Sequence, residues 1–144
     1  MLLTLTGRIQ TRIAVLAVIG GLVTLAVTPL IAEGEPLRSA YAATFSILAA
    51  VIVIGLAWEV VYHLLQQFRW EKDWPTPFAL LNGINEGLLL WFLVRAELIP
   101  NADGITVWPF VTDFAAVWLS TWLWNNGPMR VPFVHWRFRG GRLI

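Results

Sequence analysis

The stretch Ile13–Ala32, IAVLAVIGGLVTLAVTPLIA, decides the fold, because its twenty residues carry no charge. Crossing a hydrocarbon core of about 30 Å takes about 20 helical residues, each adding about 1.5 Å. Arg8 and Arg12 precede the run, as basic residues precede a secretory signal. A signal's apolar region, however, is only about 7 to 15 residues with a cleavage site close behind. The longer run here reads as a retained transmembrane span.

Working outward, Glu33-Gly34-Glu35-Pro36 makes a turn before a second long apolar run, 40–68. Its stretch to Ala57 is uncharged, and Glu59 and His63 follow. Arg69-Trp70-Glu71-Lys72-Asp73-Trp74-Pro75-Thr76-Pro77 mixes charge, interfacial tryptophan and proline, the signature of a short loop between spans. A third span is expected over 78–99 and a fourth over 107–124, separated by Pro100-Asn101-Ala102-Asp103-Gly104. Asn125-Asn126-Gly127-Pro128 ends the last helix and opens a basic cytoplasmic tail, 128–144. The expectation is a single all-α domain: a polytopic membrane protein with four transmembrane helices in an up-down bundle.

Composition agrees with that architecture. Of the 144 residues 58% are hydrophobic and 13% charged, about half the usual charged share of about a quarter. Nine acids face ten bases, a balance that excludes the concentrated basic surface used on nucleic acid and leaves membrane lipids as the surroundings. There is no cysteine, hence no disulfide, thiolate metal site or thiol nucleophile. Arginine-rich basic usage with abundant Ala and Gly suits a GC-rich bacterial genome.

The bases also predict orientation. With both termini cytoplasmic, the inner segments hold Arg8, Arg12, Arg69, Lys72, Arg130, Arg137, Arg139 and Arg142, whereas Arg38 and Arg95 lie outside. Arginine and lysine accumulate on the cytoplasmic side. Arg137, Arg139 and Arg142, interleaved with Phe133, Trp136 and Phe138, suit contact with anionic lipid headgroups. The expected location is a bacterial plasma (inner) membrane.

Charge within the spans is where chemistry could reside, since an ionised group near the bilayer centre costs roughly 3 kcal/mol or more. Glu59 and His63 are four residues apart and share a helix face. On the third helix Asn82, Asn85 and Glu86 form another polar face. Counting from the inner boundary, Glu59 and Glu86 both lie about 13 to 15 Å deep. One polar cluster of Glu59, His63, Asn82, Asn85 and Glu86 is therefore expected between helices two and three, with at least one carboxyl kept neutral by desolvation. Three readings of it stand: hydrogen bonds that fix helix register, a proton or cation pathway with His63 as relay, and contact with a larger membrane subunit. Arg95 and Asp113 fall at matching depth near the outer turn and are expected to form a buried ion pair locking helices three and four.

Gly83 and Gly87 have the GxxxG spacing that lets a neighbouring helix approach, here as packing within the bundle. Ala17 with Gly21, and Ala116 with Ser120, offer similar small faces. No G-x-S-x-G elbow, H-E-x-x-H, P-loop or dinucleotide fingerprint occurs. With His63 and His135 the sole histidines, neither metal nor other cofactor is expected, and no enzymatic activity.

Trp58-Glu59-Val60-Val61-Tyr62-His63, the loop Gln66-Gln67-Phe68-Arg69-Trp70-Glu71-Lys72-Asp73-Trp74-Pro75 and the pairs Asn82-Gly83 and Glu86-Gly87 resemble small actinobacterial multi-pass membrane proteins. The resemblance implies an accessory subunit of mycobacterial envelope machinery, including lipid importers of the mammalian-cell-entry type. It implies no catalytic residue. The function expected is a non-enzymatic accessory or assembly subunit that packs against larger integral membrane proteins, with envelope lipid transport as its setting. The alternative is a small oligomeric proton-coupled transporter or channel using Glu59, His63 and Glu86.

Overall fold

The computed structural model describes residues 5–32, 34, 36–68, 76–102 and 105–130, and these contain helices and turns but no strand. Four helices carry the fold: α1 Leu5–Ile31, α2 Leu37–Gln67, α3 Thr76–Arg95 and α4 Val107–Asn126. A 3₁₀ turn, Pro128–Arg130, follows. α1 packs against both α2 and α4, and α3 packs against the same two helices. α1 and α2 are long and apolar enough to cross a membrane. In each, only 28% of the most apolar 18-residue window is buried within the bundle. A soluble protein would turn that apolar surface inward, whereas Leu22, Val53, Leu88 and Phe92 all point out.

The first helix begins at Leu5 rather than Ile13, so Arg8 and Arg12 are part of it, and both are buried. Within it, Leu16–Gly20 forms a π-helical turn. Arg12 and Thr24 are twelve residues apart, about 120° out of phase in an unbroken α-helix. Absorbing one residue in the wide turn leaves eleven, about three whole turns, which puts both side chains on the inner face. Gly20, at the end of that turn, brings the backbone against Leu48 and Val117.

Pro29 lies inside α1 and has no N–H for the Leu25 carbonyl one turn back. Tyr41 of α2 donates its hydroxyl to that carbonyl at 2.9 Å and keeps the helix satisfied. α3 ends at Arg95, short of Ile99. Glu97 adopts a left-handed conformation (φ 59°), with its N–H on the Val94 carbonyl and the Leu98 N–H on the Leu93 carbonyl. Those two bonds close a Schellman cap. The connection then folds back, burying Ile99 and Ala102 in the core with Leu48, Leu90, Val94 and Phe110.

Gly83 and Gly87 face aromatic rings of α4. The Trp118 indole packs over Gly83, donating its N–H to the Leu80 carbonyl at 3.1 Å, and Phe114 packs over Gly87. Phe110, Phe114 and Trp118 stack in turn along α4, with centroids 5.9 and 5.6 Å apart. The glycine pair therefore admits rings rather than a second backbone. Ala17 is exposed, and Gly21 has open space about it, so the first of the other small-residue pairs packs against nothing in the bundle. Gly83→Ala is expected to lower stability in detergent by about 1–3 kcal/mol through displacement of Trp118. Gly21→Ala should be neutral or slightly stabilising, because a β-carbon there meets nothing and alanine favours the helix. Thermal unfolding of the two variants side by side measures the difference.

Candidate functional site: a buried arginine–glutamate network

Glu86 is buried, ten residues after Thr76 and nine before Arg95, and so lies at the middle of α3. The guanidinium of Arg12 meets it there. Arg12 Nη1 donates to Glu86 Oε1 at 3.1 Å and Nη2 donates to Glu86 Oε2, a two-pronged arrangement that fits the planar fork to the carboxylate. Nη1 also donates to Glu59 Oε1 at 3.1 Å, and Arg8 Nη1 donates to Glu59 Oε2 at 3.4 Å. Tyr62 adds a hydroxyl donated to Glu86 Oε1 at 3.1 Å, its ring stacked on Trp58 with centroids 5.7 Å apart.

Helical spacing explains this convergence. Arg8 and Arg12 are one turn apart on α1, and Glu59 and Tyr62 nearly one turn apart on α2, so each pair shares a face. Arg12 extends toward the bundle centre instead of toward water, reaching the Val51 carbonyl at 3.4 Å. Gly55 makes the room, for any β-carbon there would overlap the guanidinium. The indole of Trp118 offers its face to the same cation, 5.8 Å from the ring centroid.

The formal charges balance, two arginines against two glutamates. Buried charges persist in a low-dielectric interior when paired and hydrogen-bonded. These cations entered the sequence reading as orientation signals only. A cavity of about 150 Å³ runs beside the network, walled by all four helices, with Arg8, Thr11, Asn82, Trp122 and Asn125 among its lining. At about 30 Å³ of liquid volume each, a few waters would fill it.

The other expected residues divide. Asn82 lines the cavity, but Asn85 is exposed, because one further residue rotates it about 100° off the inner face. His63 is half-buried, and its Nδ1 has no hydrogen-bond partner among the described residues. The expected Arg95–Asp113 pair does not form. Arg95 is exposed beside Trp91, with its guanidinium carbon 5.8 Å from the ring centroid, in an outer cleft shared with Glu97. Asp113 is buried on the face of α4 turned to α1, where the Thr24 hydroxyl faces it. Matching depth had suggested the pair, but rotation about the helix axes separates it. Arg137, Arg139 and Arg142 lie outside the described residues.

Sequence reasoning missed Arg8, Arg12, Gly55 and Tyr62 as parts of the site. One signal was available: two acids within apolar helices require counter-charge, and Arg8 and Arg12 are the bases spaced like Glu59 and His63. Among the described residues no three His, Cys, Asp or Glu side chains converge as metal ligands. No protein-family model, curated protein or solved structure matches the chain.

Removing one partner of a buried pair leaves the other charge uncompensated, at a cost of about 3–5 kcal/mol. Arg12→Met alone and Glu86→Gln alone should each destabilise the detergent-solubilised protein by that order. The double variant Arg12→Met/Glu86→Gln should recover much of the loss. Denaturant unfolding of the three variants tests the coupling, and additive losses would contradict it.

Proposed function

We propose that the chain is a four-span protein of a bacterial plasma membrane, with both termini cytoplasmic, acting as a non-enzymatic accessory subunit of a larger membrane complex. The observation that carries this reading is the closure of the charge network, in which Glu59 and Glu86 are both held by arginines. A carboxylate that carries protons must release its partner in each cycle, whereas a scaffold gains from a partner that stays. α3 and α4, with 20 residues each, match a core of about 30 Å. Withdrawing Arg8 and Arg12 from the orientation tally leaves its sign unchanged, since Arg69, Lys72, Arg130, Arg137, Arg139 and Arg142 still outweigh Arg38 and Arg95.

The outward apolar faces of α1 to α3, with Leu30 and Phe92 among their most exposed side chains, are available to lipid and to a partner's helices. The resemblance to actinobacterial envelope proteins supplies the setting, a lipid-import assembly. Purification of the tagged chain from native membranes in mild detergent should bring down a larger integral membrane protein in fixed ratio. A monodisperse chain recovered alone, from membranes cross-linked before extraction, would contradict the proposal.

One observation favours a second reading, proton-coupled transport: the cavity extends alongside the network as far as Glu86. Reconstituted vesicles separate the two. Transport requires a proton flux that Glu86→Gln abolishes while the protein remains folded, and a scaffold gives none in either protein.

A further inference from the structure

The cavity of about 150 Å³ runs from the end of α4, at Asn125, inward to Glu86. Its wall holds an unused acceptor: Asn125 Oδ1 is buried and has no hydrogen-bond partner among the described residues, a costly state for an amide oxygen. Of the two acids in the network Glu59 is the reachable one, its side chain 13% exposed against 2% for Glu86. Its contact with Arg8, at 3.4 Å, is longer than its contact with Arg12, at 3.1 Å. A carboxylate has about four acceptor sites, so Glu59 can take a donor besides the two arginines. α4 ends at Asn126, and the negative end of its dipole adds to the pull on a cation beside Asn125. Trp122 lines the same end, and an indole ring attracts an ammonium group.

We propose that this cavity binds a phosphoethanolamine group, its ammonium taken by the acceptors Glu59 and Asn125 and its phosphate by Arg8. Charge decides the class of ligand. The formal charges of Arg8, Arg12, Glu59 and Glu86 cancel, so a ligand with one net charge would leave it unbalanced in an apolar bundle. A zwitterion keeps the balance, and a guanidinium is a favoured partner of phosphate. Asn125 Oδ1 needs an N–H, which a primary ammonium carries and a quaternary one lacks. Thr121, also on the wall, donates its hydroxyl to the Trp118 carbonyl at 3.0 Å, which leaves its oxygen as a further acceptor. Two sources carry the group: the membrane lipid phosphatidylethanolamine, whose headgroups lie near the level of a helix end, and the free compound. The lipid source rests on the membrane setting given above but not on a partner subunit, so failure here leaves the co-purification result standing.

The test is thermal unfolding of the delipidated full chain in mild detergent, titrated with short-chain phosphatidylethanolamine, phosphatidylcholine or phosphatidylglycerol of one acyl length, or with free phosphoethanolamine. A midpoint that rises and saturates with phosphatidylethanolamine is expected, because a ligand bound only by the folded state stabilises it by mass action. In Asn125→Leu half-saturation should need about tenfold more lipid, the equivalent of one lost hydrogen bond. A response to the lipid alone assigns the site to the membrane, and an equal response to free phosphoethanolamine assigns it to the soluble compound. A midpoint that phosphatidylethanolamine leaves unmoved overturns the proposal, as does an equal shift with phosphatidylcholine or phosphatidylglycerol, or an Asn125→Leu half-saturation equal to wild type. Should the variant fail to fold, native mass spectrometry of wild-type protein extracted from membranes rich in phosphatidylethanolamine and phosphatidylglycerol decides. One retained phosphatidylethanolamine per chain supports the site, and equal retention of phosphatidylglycerol overturns it.

Discussion

The contact between Arg12 and Glu86 constrains the rest of the bundle, because it places a guanidinium and a carboxyl halfway along α3. In a low-dielectric interior neither charge is tolerable without the other, so α1 and α3 have to dock in one register. Glu59 and Arg8 extend the pair to α2 and toward the bundle end, and Tyr62 fills a remaining lone pair of Glu86. Apolar packing between helices is forgiving of small rotations. A two-pronged guanidinium–carboxylate contact is not, which is why polar contacts define register in membrane bundles even where their net energy is modest.

Small residues and one backbone irregularity adapt the helices to that contact. Gly55 opens α2 to the guanidinium, while Gly83 and Gly87 let the α4 rings lie close enough for Trp118 to approach the same cation. The π-helical turn then resets the phase of α1, so that Thr24 and Thr28 remain inside beyond Arg12. Without the reset, a face carrying Arg8 and Arg12 inward would carry the threonines toward the outside of the bundle. The helix that supplies the cations of one polar layer thus supplies the hydroxyls of the next, around Asp113.

Helix number, order and approximate limits were legible because they follow from local chemistry: long, predominantly apolar runs bounded by Pro36, Pro77, Pro100 and Pro128. The carboxylates Glu59 and Glu86 were legible for a related reason, since a charge within an apolar run stands out whatever surrounds it. The angle about each helix axis was not. Arg95 and Asp113 match in depth, yet one faces out and the other in. Asn85 adjoins Glu86 and faces away from it. Arg8 and Arg12 were read as orientation signals, a role that uses only their sign and side and leaves their side-chain direction undetermined.

By itself, the sequence determined that the chain forms apolar helices joined by short polar turns, because hydrophobicity and helix-breaking residues act within a few positions of themselves. Tertiary structure alone decided which cation answers which carboxylate. That choice depends on the relative rotation of helices separated by dozens of residues, and on Gly55 leaving a gap at the depth Arg12 can reach. It also decided that Asp113 would be buried opposite the Thr24 hydroxyl, since the phase of α1 that presents Thr24 to it is set by a turn with no sequence mark of its own.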